Sequence, residues 1–186
     1  MTGFGTAAPW QAWLVESKGW HMIDEIDLVG LIALQSDWLR VCARLEQFAD
    51  RLPAELPPCE AATCCAELRR LANVPQDAFT QRANRLFLTH GMGDPLARSL
   101  IRHVASQHAA RIDHVYDLIE ALEPGATAPS RIDADTLGYM LRCFFAGCRQ
   151  TVALERLSLL DLGGDRLTAG ARMLLADRII ECCEAG

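Results

Sequence analysis

Two polar residues stand on otherwise apolar helical stripes, and both are of types that carry internal chemistry. His108 lies in line with Val104 and Ile112, and Glu155 lies one turn after Thr151 on the stripe Leu137, Leu141, Phe144, Cys148, Thr151, Glu155 and Leu159. A glutamate in an apolar interior has to be paired, metal-bound or protonated, because an isolated carboxylate there is very costly. The plainer reading of His108 is a core histidine satisfied by a neighbour. For Glu155 it is a position at the edge of the core, near the end of its helix. His103 and His114 share a largely polar face and read as solvated surface. His114 and Asp117 have chelating spacing, but two ligands do not make a metal site.

The eight cysteines are spaced as Cys59, Cys64 and Cys65, then Cys143 and Cys148, then Cys182 and Cys183, with Cys42 standing apart. None forms the CxxC pair that zinc sites usually show. They read as reduced thiols acting as small apolar side chains. There is no GxGxxG after a strand, no GxxxxGK[ST] and no GxSxG elbow. Gly91-Met92-Gly93 is a turn rather than a phosphate loop. Nothing supports enzymatic catalysis, and a nucleophilic cysteine cannot be matched to a histidine by spacing alone.

The elements that must position these residues are helices. The chain has 186 residues, 51% hydrophobic and 23% charged, enough for a core and unlike a disordered chain. Its net charge is −6, and Lys18 is its only lysine. No basic patch marks a nucleic-acid partner. The longest apolar run, Leu28 to Leu34, is far short of a membrane span. With no basic-then-apolar leader pattern either, the expected setting is the cytoplasm, with no membrane association.

Periodicity predicts long helices at about 24–52, 60–89, 94–122 and 134–162. The first is capped by Asp24 or Asp27, with the stripe Leu28, Ile32, Gln35, Leu39, Cys42, Glu46 and Ala49. Val29, Leu45, Phe48 and Leu52 widen it. The second is broken near Pro75 and resumes until Gly91 caps it. The third opens with Asp94-Pro95. The fourth ends at Gly163-Gly164, and a short last helix follows a Thr168 cap. Residues 1–23 form an arm carrying Trp10, Trp13 and Trp20; residues 24–186 form the helical domain. No β-alternation is present. The expected fold is all-α, an antiparallel up-down four-helix bundle with the arm and the short C-terminal helix appended.

The helix patterns resemble those of bacterial hemerythrin-like (HHE cation-binding) proteins over residues 24–170. In the first helix the likeness lies in Leu34-Gln35-Ser36-Asp37-Trp38-Leu39-Arg40, Leu45-Glu46 and Ala49-Asp50-Arg51-Leu52-Pro53. In the fourth it lies in Leu137-Gly138-Tyr139-Met140-Leu141-Arg142, Phe144-Phe145, Arg149 and Glu155-Arg156, followed by Arg166-Leu167-Thr168. The resemblance implies a bundle that holds two non-haem irons through histidines and carboxylates from all four helices.

Residue by residue, most of that ligand set is missing. The first-helix histidine falls on Ser36. Between Asn73 and Thr89 there is neither His nor Glu to serve as the second-helix pair. Gln107-His108 retains only the histidine of the third helix, and the acidic partner falls near Arg111. In the fourth helix His-x-x-x-Glu becomes Thr151-x-x-x-Glu155. His108 and Glu155 are thus the vestigial metal residues, with Ser36, Thr151 and Cys148 lining the former site and Trp38, Phe79, Phe87 and Phe144 filling it. His108 and Glu155 should be buried together as each other's partner. Removing Glu155 alone should then cost more than removing both.

The expected function is a metal-free binding or regulatory module with no cofactor. It would engage a protein partner or itself, and the early tryptophans suit an interface. The alternatives are a non-haem iron or other metal protein for oxygen, nitric oxide or iron handling, built on His108, Glu155 and Cys148, and a small apolar-ligand binder using the bundle core. No nucleic acid is expected.

Overall fold

The computed structural model describes residues 22–52, 57–74, 95–123 and 132–184, without the side chains of 182–184. These residues form five α-helices: α1 (Glu25–Arg51), α2 (Pro58–Ala72), α3 (Pro95–Leu122), α4 (Ala134–Gly163) and α5 (Ala169–Glu184). Among them there is no strand, only an isolated bridge between Ile23 and Leu167. The chain is all-helical over this range. The tryptophan arm, the second half of the second predicted helix, Pro75, Phe79, Phe87, Gly91, and the Cys182 and Cys183 thiols lie outside the described residues and side chains.

Local chemistry sets the helix ends. Asp24 caps α1 by accepting from the Ile26 and Asp27 amides, and the Asp27 carboxylate accepts from the Asp24 amide, a reciprocal box that satisfies orphan donors. The start of α2 lies at Pro58, two residues before the expected Glu60, because proline has no amide to leave unpaired in a first turn. Asp133 caps α4 through the Thr136 amide. Thr168 accepts from the Ala171 amide and opens α5, which at 16 residues is a full helix.

Pairing can be followed from side chain to side chain. From one end of α1 to the other, Gln35 meets Glu155, Glu46 meets Arg149, and Leu52 lies near Gly138, so α1 and α4 run antiparallel. Asp37, Arg44 and Arg51 meet Arg70, Glu67 and Glu60, so α1 and α2 are antiparallel as well. Helix α3 packs against α2 and α4, closing a ring of four neighbours, and α5 lies against α4 and α1.

The buried face of α1 is centred on Leu28, Leu31, Gln35, Trp38, Cys42, Leu45 and Phe48. It is rotated from the expected stripe: Leu31 and Trp38 replace Ile32 and Leu39 at its centre, and Glu46 turns to its edge. The rotation puts Trp38 against Phe144, with ring centroids 6.4 Å apart.

The apolar interior is divided in two. A larger cluster gathers Trp38, Leu45, Leu68, Val115, Leu141 and Phe144, among others, from α1 to α4. A smaller one gathers Ile23, Leu28, Leu31, Val104, Leu159 and Leu175. Between them lie the buried polar residues Gln35 of α1, His108 and Arg111 of α3, and Thr151, Glu155 and Arg156 of α4, with Val152 the apolar residue among them.

Gly164 ends α4 with φ of +46°, a conformation that a side chain disfavours. Gly147, in the middle of α4, is exposed and has open space where a Cβ would stand. Gly164→Ala should therefore cost about 1–3 kcal/mol. Gly147→Ala should be neutral or stabilise by up to about 1 kcal/mol through helix propensity. Urea unfolding of the two variants checks the contrast.

Candidate functional site

The polar layer is built from α1, α3 and α4. Glu155 is 2% exposed and His108 8%. One carboxylate oxygen of Glu155 is hydrogen-bonded to His108 Nε2, and the other accepts from the Gln35 side-chain amide at 2.8 Å. The Gln35 oxygen in turn accepts from Arg156 Nε at 2.8 Å. Arg156 NH1 donates to the Arg178 carbonyl of α5. On the other side, Arg111 NH2 lies 3.3 Å from His108 Nδ1. A guanidinium can only donate, so this pattern assigns Nδ1 as the acceptor and places the ring proton on Nε2, facing the carboxylate.

Arg111 joins the layer to the larger apolar cluster. Its guanidinium lies over the Trp38 ring, 4.5 Å from the centroid. Such a desolvated cation–π contact contributes about 2 kcal/mol. Its NH1 points at Cys148 Sγ at 4.0 Å, and its Nε is buried without a partner. Cys148, on α4, neighbours the Cys42 thiol of α1, and both are buried in the larger apolar cluster. That proximity, helped by Arg111, holds the Cys148 thiol below its ordinary pKa range despite burial. The same proximity and burial push Cys42 up.

A partly open cleft of about 80 Å³ runs between α3 and α4, bordered by Gln107, Arg111, His114, Phe144, Cys148 and Thr151, among others. A wider surface groove of about 810 Å³ lies elsewhere, over α1 and α2, and is lined mainly by polar and charged side chains, with Phe48 among them.

His108 and Glu155 meet, both buried, as their stripes suggested. Thr151 is buried one turn below Glu155 and donates to the Gly147 carbonyl. Cys148 follows on the same face, joined to the layer through Arg111. Ser36 does not enter the layer: it is half-buried and donates to the Ile32 carbonyl of its own helix. Gln35, one residue earlier, is the α1 side chain that reaches Glu155, as the rotation of the α1 face requires. His103 and His114 are exposed.

Sequence reasoning gave no role to Gln35, Arg156 or Arg111. Signals existed: Gln35 stood on the α1 stripe, and Arg111 and Arg156 adjoin Ile112 and Glu155. The six described cysteines are free thiols.

The residues do not fit the non-haem iron that the hemerythrin-like resemblance implies. The two retained ligand types already hold each other. Arg111 donates to the imidazole that would be a ligand, and a second guanidinium is bonded to the amide that holds the carboxylate. A cation would enter against two fixed positive charges. Among the described residues no three His, Cys, Asp or Glu side chains converge.

No protein-family model matches the chain, and no curated protein and no solved structure matches it.

The arginines alter the expected energetics of the pair. Glu155→Leu should cost about 3–5 kcal/mol, the usual result of breaking a buried charge network from one side. Adding His108→Leu should leave most of that loss in place. Arg111 then keeps its charge without the imidazole, and Gln35 and Arg156 still lack the carboxylate. Two-state urea unfolding of the single and double variants measures the difference. The double change should fail to rescue, because the pair is part of a larger network.

Proposed function

We propose that the chain is a divergent hemerythrin-like four-helix bundle that has exchanged its internal metal site for a polar layer and works as a metal-free binding or regulatory module. The observation that carries this reading is the hydrogen-bonded path Arg156–Gln35–Glu155–His108–Arg111, which occupies the middle of the helical interior with side chains. The closed ring α1–α2–α3–α4 and the antiparallel pairing of α1 with α2 and α4 support the bundle. The guanidiniums support the loss of iron, since a site evolved for a cation does not surround its ligands with arginine.

A module whose centre is filled by its own side chains must act through its surface. The tryptophans at positions 10, 13 and 20 are the residue type most enriched at binding hot spots, and they favour a protein partner or self-association. The apolar-ligand alternative has less support, because the cleft beside the layer is about 80 Å³, whereas ligand pockets run to about 300–1,000 Å³.

Metal analysis of the full chain, purified without chelator from iron- and zinc-supplemented cells, tests the reading. The expected content is far below one metal per chain, and unchanged in His108→Ala. Stoichiometric iron or zinc that disappears in His108→Ala and Glu155→Ala would overturn the proposal in favour of a rebuilt metal site.

A further inference from the structure

We propose that the cleft between α3 and α4 binds a short-chain monocarboxylate of formate or acetate size, whose carboxylate pairs with the buried Arg111 guanidinium. The inference goes beyond the reading of a metal-free module and does not depend on the hemerythrin-like resemblance.

A buried cation without an anion carries it. Arg111 is 8% exposed. One terminal nitrogen lies 3.3 Å from His108 Nδ1, the other reaches only the Cys148 sulfur at 4.0 Å, and Nε is buried with no partner. Among the described residues Arg111 forms no ion pair. The carboxylate of the polar layer is committed elsewhere, since Glu155 has one oxygen on His108 and the other on Gln35. A guanidinium is not deprotonated in a protein, and a charge taken out of water needs a counter-charge. The Trp38 ring under it offsets part of the cost through its π-face but brings no unit of negative charge.

The cleft offers the place for that charge. Its buried wall holds Arg111, Phe144 and Thr151, and exposed His114 and Gly147 border it on the solvent side. Gln107, Arg111 and His114 follow one another at steps of four and three along α3, so they share one helix face. The Gln107 and His114 side chains make no hydrogen bond among the described residues, which leaves two further N–H donors at the same cleft. No residue bordering it is acidic.

Size and charge select the ligand. A space of about 80 Å³ takes only a few water-sized groups, given that one needs about 10–15 Å³. The planar guanidinium matches a carboxylate through parallel N–H···O bonds, and Phe144 gives the carbon end of the ligand an apolar wall. A dianion such as phosphate is a poorer match. One guanidinium supplies one charge, and the Glu155 carboxylate stands on the other side of the His108 ring.

The test uses the full chain, freed of carboxylate buffers and titrated with sodium acetate. Saturation transfer from the protein to the acetate methyl protons is read by NMR. The expected result is a saturable signal that formate displaces. Acetamide, which has the shape without the charge, should give none, and neither should pivalate, which is too bulky for the cleft. Arg111→Met keeps an unbranched stem over Trp38 and removes the charge. It should weaken acetate binding at least about tenfold, the loss expected of a charge-assisted hydrogen bond. Gly147→Leu leaves Arg111 in place and adds a side chain at an exposed position with open space on the border of the cleft. It should weaken acetate binding to a similar degree. Three results would overturn the proposal: no saturable acetate signal from the parent chain, acetamide binding as well as acetate, or Gly147→Leu binding acetate as the parent does. The parent titration and Gly147→Leu decide the matter even where Arg111→Met folds poorly.

Discussion

A single buried carboxylate organises the interior. Glu155 presents two oxygens, one to His108 on α3 and one to Gln35 on α1, so one side chain of α4 ties three helices at a common level. The interaction is directional, and its alternatives are costly. A shift of α1 by one turn would bring Leu31 or Trp38 opposite a charged oxygen and leave the carboxylate short of a donor, a loss of several kcal/mol. Apolar residues above and below tolerate sliding far better, because burial is non-directional. Axial register therefore rests on the polar layer, while cohesion rests on the two apolar clusters it separates.

The arginines give the layer its chemical character. A histidine and a glutamate on facing helices can serve a metal, an acid–base pair or a structural contact, and the neighbours decide which. Here Arg111 donates to the imidazole and Arg156 holds the amide that holds the carboxylate. Positive charge thus sits behind both groups. The same Arg111 stacks on Trp38 and reaches Cys148, so the electrostatics of the carboxylate, the indole and the thiol converge on one guanidinium.

What could be read from the sequence was what local rules determine. The Asp24 and Thr168 caps and the glycine end of α4 depend on residues within a turn or two, and each appears where its signal stood. The α4 stripe, including Thr151 and Glu155, is buried as its period implies. The α1 face was less legible: Leu45 and Phe48 were seen only as widening a stripe whose centre they share, because the apolar residues of α1 cover more than half its circumference. The roles of Gln35, Arg111 and Arg156 were not legible. A buried arginine or glutamine has no periodic signature of its own, and its partner stands on another helix about a hundred residues away or, for Arg111, within a layer that exists only once three helices meet.

The backbone bridge just before α1 has a mechanical side. Ile23 donates to the Arg166 carbonyl and accepts from the Thr168 amide, across 145 residues of sequence from 23 to 168. A pull between residue 22 and the end of α5 is therefore carried from Ile23 directly into the segment that starts α5. Helices α1 to α4 lie outside that path, inside the loop that the bridge closes. Tension along the chain would be borne first by two backbone hydrogen bonds and by the docking of α5, whose Arg178 carbonyl holds Arg156 and so passes part of the load to the polar layer.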